Sequence, residues 1–241
     1  YLQKSNLRGA WQVFSTVLPI IALWFEVHRV DQSSLPINLK LLEFIPLISL
    51  LILLSSRCFS LMHDCGHNSL FASQSLNRIT GFFLGVINAI PQHPWSRGHA
   101  FHHKHNGNWE LYKGPSALIT LDRYHKFNDF QRLTYRLSRH PLMLFPGGFF
   151  YLVIKPRLSL ILGIVEFMFS ATKSLLSRLN NSKKINYSTW KDIVTDHSSS
   201  YWYTSGELID LIGNNILVIS TWIIMSKVLG LHLFCVVYSI V

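Results

Sequence analysis

The chain has 241 residues, 49% of them apolar and only 14% charged, with a formal net charge of +10. Its mean hydropathy is positive. Soluble domains carry about 25% charged residues, so this composition argues against an ordinary soluble enzyme and points to an integral membrane protein. Basic residues crowd the stretch from His63 to Ser205. Beside apolar runs, that excess fits the Lys/Arg bias of cytoplasmic loops better than a nucleic-acid surface. Cys58, Cys65 and Cys235 are too few and too scattered for a disulfide framework, which suits a reducing compartment.

In chain order, the first expected span is Trp11 to Val27, flanked by Lys4, Arg8 and Arg29, with Pro19 tolerated as a kink. Asp31 to Asn38 is polar, contains a proline and reads as a turn. Leu41 to Met62 is the second span and runs directly into the first of two histidine clusters. Ile79 to Ile90 is apolar but too short to cross a bilayer comfortably. A crossing there would also put the two clusters on opposite faces. It is therefore expected to lie at the interface or as a shallow dip.

Trp95 to Arg139 is polar, basic and aromatic, the expected extramembrane head. Leu142 to Ile154 and Leu158 to Phe169 are short apolar stretches, read as broken by Pro146-Gly147-Gly148 and Lys155-Pro156-Arg157. They suit interfacial helices or a shallow hairpin. Ser177 to Ser205 reads as a polar connector, Leu208 to Met225 as a third span ended by Lys227, and Leu229 to Val241 as the start of a fourth. The expected fold is all-α and membrane-integral: about four transmembrane helices (near 11–29, 41–62, 208–226 and 228–241), a cytoplasmic head near 63–205 and interfacial helices. Residues 1–241 read as one domain. The start at Tyr1 and the apolar run at Val241 suggest truncation at both ends.

The chemistry concentrates in the two clusters. His63-Asp64-Cys65-Gly66-His67 is an HxxxH box, and His99-Ala100-Phe101-His102-His103 is an HxxHH box. Residues three and four apart share a helix face, so each box aims its imidazoles to one side. Neutral imidazole ligates iron, copper and zinc. A polar cluster near lipid is costly unless something satisfies it, which favours His63, His67, His99, His102 and His103 as metal ligands. His28, His140, His197 and His232 read as ordinary surface or core residues. Structural zinc prefers Cys ligands, and Cys65 points away from the face of its box. Haem needs axial ligands from opposite sides. An all-imidazole set with open positions fits oxygen-activating iron better.

Neighbouring residues are candidates for supporting roles. Asp64 could accept a hydrogen bond from a ligand imidazole and fix its tautomer. Gly66 permits close backbone approach. Trp95 and Arg97 precede the second box and could line the site. His105 and Asn106 extend that box, with His105 off the shared face. His93 is a weaker candidate, and Trp109 and Tyr112 read as packing residues.

The sequence resembles the membrane fatty-acid desaturases, specifically the acyl-lipid type of bacteria and cyanobacteria. The resemblance rests on HDCGHNSLF from His63, on Pro94 through Trp95-Ser96-Arg97-Gly98 into HAFHH, and on HHKHNGNW from His102 to Trp109. The tract Tyr135 to Pro146, YRLSRHPLMLFP, is similar to the omega-6 (delta-12) branch. The resemblance implies two non-haem iron ions held by three histidine boxes and O2 as co-substrate. It also implies removal of two hydrogens from a membrane-lipid acyl chain to leave a cis double bond. His63, His67, His99, His102 and His103 match ligand positions. The third box would follow the fourth span, so the chain is expected to be inactive alone. Electrons would come from a ferredoxin or cytochrome b5 type donor, and the basic head suits an acidic carrier. A related hydroxylase or ketolase acting on an alkane, carotenoid or sterol is the alternative within the fold. A histidine-rich metal transporter fits less well, because transporters place ligands near the bilayer midplane.

Overall fold

A computed structural model describes residues 4–108, 111, 118–180 and 199–241. Trp109, Tyr112, His197 and most of the expected connector over Ser177–Ser205 lie outside the described residues. Within them the secondary structure is helical throughout, without strands. The chain divides into two compact units, Tyr1–Ser96 with Gly213–Val241, and Arg97–Ile212.

The first unit is built on α1 (Asn6–Gln32), α2 (Ile37–Gly66) and α3 (Gln74–Ile87). Ser5 caps α1 by accepting from the Arg8 amide, and Pro19 sits inside that helix. Pro36 opens α2 after a four-residue link, so the expected turn over Asp31–Asn38 is shorter than its composition suggests. α2 packs against both α1 and α3, burying Leu51, Cys58, Leu61 and Met62. The outward faces are apolar: Trp11 (71% exposed) and Phe25 on α1, Leu42 and Leu53 on α2. In water such faces would be a liability; against lipid they are the required surface.

After α2 the chain is tied down by two asparagines. Buried Asn77 accepts from the Phe71 amide at 3.0 Å and donates to the carbonyls of Phe71 and Ser73, both at 2.9 Å. Asn6, at the start of α1, accepts from the amides of Ala72 (2.9 Å) and Ser73 (3.2 Å).

α4 (Gln92–His105) begins in the first unit and ends in the second, whereas α9 (Ser205–Leu229) begins in the second and ends in the first. The second unit also holds α5 (Leu121–His125), α6 (Asp129–Ser138), α7 (Leu144–Phe149) and α8 (Lys155–Asn180). Asn128 and Gln131 form a reciprocal capping box at α6. The expected break at Lys155-Pro156-Arg157 is absent. A π-turn over Phe150–Ile154 joins α7 to α8, and Pro156 falls in the first turn of α8, directly after the widened turn that accommodates it. Ser199 and Ser200 bind Glu166 of α8, and Trp202 is buried against Gly163.

Among the described residues, three helices, α1, α2 and α9, are long and apolar enough to cross a membrane. The third runs past Lys227 to Leu229 and ends at Gly230, whose φ of 81° is left-handed backbone suited to glycine. The expected fourth span corresponds to α10 (Leu231–Ile240), ten residues long. α3, with 14 residues, is likewise shorter than a bilayer crossing requires.

Candidate metal centre

The first box occupies the last turn of α2. His63 lies in that turn and His67 is the C-cap, its amide donating to the His63 carbonyl at 3.2 Å. The helix stops because Asn68 adopts φ 54°, a conformation asparagine tolerates. The Ser69 amide and hydroxyl then both donate to the Asp64 carbonyl at 2.9 Å. This termination leaves the rings of His63 and His67 with centroids 4.6 Å apart.

Asp64 Oδ1 stands 3.2 Å from His63 Nδ1. A carboxylate there favours the tautomer with the proton on Nδ1 and leaves Nε2 as the lone-pair donor, the usual outer partner of a metal-bound imidazole. Trp95 packs edge-on against both His63, at 6.0 Å, and Phe59, at 5.5 Å. Gly66 faces Ser96 and Gln92, and a Cβ there would run into the Ser96 hydroxyl. Gln92 donates to that hydroxyl at 2.8 Å, so the start of α4 is fitted against the end of α2.

The second box belongs to the other unit. His99 and His103 are one turn apart on α4, and their Nε2 atoms approach to 2.9 Å. Two nitrogens about 2.1 Å from one metal and at about a right angle to each other lie about 3.0 Å apart. The pair thus has the spacing of two cis imidazole ligands. His102 is further from both, with ring centroids 6.0 Å from His99 and 5.8 Å from His103. His63, His102 and His103 sit in the last turns of their helices, where the negative end of the helix dipole favours a bound cation.

The remaining predicted residues are placed as follows. His105 packs on Phe101 at 4.4 Å, away from the His99–His103 face. Asn106 is exposed in the turn after α4, and His93 is half-buried in the first turn of that helix. Arg97 Nε lies 2.8 Å from Glu207 Oε1 as an ion pair whose N–H is not aligned on the oxygen. Its guanidinium stacks 3.8 Å above the Tyr203 ring.

Sequence reasoning treated Leu208 to Met225 as a plain span and missed its polar face. Glu207, Asp210 and Asn214 are all buried in α9, and Asn214 donates to the Ile90 carbonyl at 3.1 Å. Their spacing of three and four residues marks one helix face. Ionisable residues inside an apolar helix are a functional signal by default, so the pattern was there to be found.

The model of the family described as "Fatty acid desaturase" matches residues 42–192, more than half of the chain and inclusive of both boxes. A fatty acid desaturase of Bacillus subtilis is 28% identical over 155 residues, covering 64% of this chain and 42% of the relative. A delta(12) fatty acid desaturase of Mortierella alpina is 28% identical over 109 residues, 44% of this chain and 26% of the relative. An Arabidopsis thaliana protein named as a chloroplastic sn-2 acyl-lipid omega-3 desaturase (ferredoxin) is 38% identical over 77 residues, 30% of this chain and 17% of the relative. The chain spans less than half the length of each. No solved structure matches it. Apolar spans, paired imidazoles and a family match across both boxes agree: this chain belongs to the fatty acid desaturase family.

Proposed function

We propose that the chain carries part of the iron cage of an oxygen-dependent desaturase that introduces a cis double bond into a fatty acyl chain of a membrane lipid. The observation that carries this reading is the His99–His103 pair, with Nε2 atoms 2.9 Å apart inside the family-matched segment. His63, His67, His99, His102 and His103 are the proposed ligands. Along α4, Trp95, His99 and His103 recur every four residues on one face. Trp95 meets the His63 ring edge-on. Two non-haem irons need more ligands than these five imidazoles, so other residues complete the cage.

Bound iron would supply oxygen activation. The substrate loses two hydrogens, O2 takes them up with two electrons and two protons, and two waters leave. Asp64 holds His63 in the tautomer that presents Nε2, and Trp95 packs against the ring edge-on. The electron donor is proposed to be ferredoxin or a cytochrome b5 type protein. A relative whose name includes ferredoxin supports the first, as do Arg123, Lys126 and Arg136 on α5 and α6, which complement an acidic carrier. The same basic residues support a cytoplasmic position for the boxes.

The test is expression of the whole gene in a host lacking polyunsaturated lipids, with lipid products read by mass spectrometry. Loss of two hydrogens per acyl chain, abolished by His63→Ala or His99→Ala, is the expected result. A gain of oxygen instead would make the protein a hydroxylase or ketolase. Metal flux in proteoliposomes without lipid modification would make it a transporter.

A further inference from the structure

We propose that Glu207 of α9 is a positioning residue for the second histidine box, acting through Arg97. The inference rests on the reading of His99 and His103 as metal ligands. Glu207 is only 3% exposed, and an unpaired carboxylate so buried would be strongly destabilising. Its two oxygens have separate partners. Oε1 pairs with Arg97 Nε at 2.8 Å, and Oε2 accepts from the Tyr203 amide at 2.9 Å. The Glu207 amide donates to Thr204 Oγ1 at 3.2 Å, so the carboxylate rides on a capped helix start. Tyr203 closes the arrangement by stacking under the Arg97 guanidinium at 3.8 Å.

Arg97 is two residues before His99, about 200° around the helix, so it grips α4 from the side opposite the ligands. That is the place from which rotation of the box is controlled. A histidine Nε2 stands roughly 6 Å from the helix axis, so a turn of about 10° displaces it by about 1 Å. Metal sites tolerate about 0.5 Å. The 2.9 Å spacing of the His99 and His103 nitrogens is set within α4; where that pair points is set by what holds α4 from behind.

Glu207 also caps α9, and the test must separate that role from positioning. Arg97 supplies the separation, because its removal leaves the contacts of Glu207 to Tyr203 and Thr204 in place. Fe(II) is titrated into the full-length protein carrying Arg97→Met, Arg97→Lys, Glu207→Gln or, as control, His99→Ala. The Mössbauer spectrum of the loaded protein and its thermal midpoint are recorded alongside. Arg97→Met and Glu207→Gln are expected to weaken iron binding about ten-fold and alter the spectrum, with Arg97→Lys partly restoring both. If Arg97→Met does not fold, the same comparison is made with Arg97→Lys alone, expected to give a smaller change in the same direction. Wild-type affinity and spectrum in the folded Arg97 variant, with iron lost in His99→Ala, would overturn the positioning role alone. Wild-type iron binding in His99→Ala would overturn the ligand reading beneath it.

Discussion

His99 and His103 face each other across one turn of α4, Nε2 to Nε2 at 2.9 Å, while His105 turns to the opposite side and packs on Phe101. One helix therefore separates histidines that composition alone cannot tell apart. In the full-length protein, His103→Ala should weaken iron binding by more than the roughly ten- to hundred-fold typical of outer partners, and His105→Ala should leave it unchanged. Metal titration on both variants checks this. Equal losses would mean the face of α4 does not decide ligation.

Asp64 touches His63 Nδ1 at 3.2 Å. Asp64→Asn keeps the shape but replaces the charged acceptor beside Nδ1 with an amide that no longer selects one tautomer of the ring. Iron affinity is expected to fall about ten- to hundred-fold with little change in thermal stability, because Asp64 is about half exposed. Parallel metal titration and thermal denaturation distinguish this from a folding defect.

Gly66 is where α2 admits α4, with Ser96 in the space a Cβ would fill. Gly66→Ala should destabilise by about 1–3 kcal/mol through overpacking. Ser96→Ala removes the obstructing hydroxyl, so the double variant should recover part of the loss. A double-mutant cycle on thermal midpoints measures that coupling; strict additivity would refute the contact.

Glu166 is held below the usual carboxylate range, first by the Ser200 hydroxyl, then by the Ser199 hydroxyl and the Ser200 amide, all donating to its charged form. A depressed folded pKa adds stability above the unfolded value, about 4.3, and that stability is lost as pH falls through the folded value. Trp202, buried beside this segment, should become solvent-exposed in acid. Glu166→Gln should already expose it at neutral pH. Trp202 fluorescence, isolated by difference with Trp202→Phe, reports both.

Much of the architecture was readable in the chain. Apolar runs gave α1, α2 and α9, because lipid-facing helices must be apolar along most of their length. The boxes were readable because i, i+3 and i+4 spacing is a local property. Misreadings arose where local chemistry admits two outcomes. Pro156 looked like a break yet fits the first turn of α8. Lys227 looked like a stop, whereas the helix ends at Gly230. Glu207 was passed over because its meaning depends on Arg97, more than a hundred positions away. No local pattern encodes such a partner.

The hydrogen bonds from the Ala72 and Ser73 amides to Asn6 have a consequence for sidedness. They tie the start of the first span to the segment just beyond His67. Whichever compartment holds the first box must also hold Asn6. A membrane-impermeant thiol probe directed to a cysteine introduced near Asn6 would therefore report which compartment holds the first box.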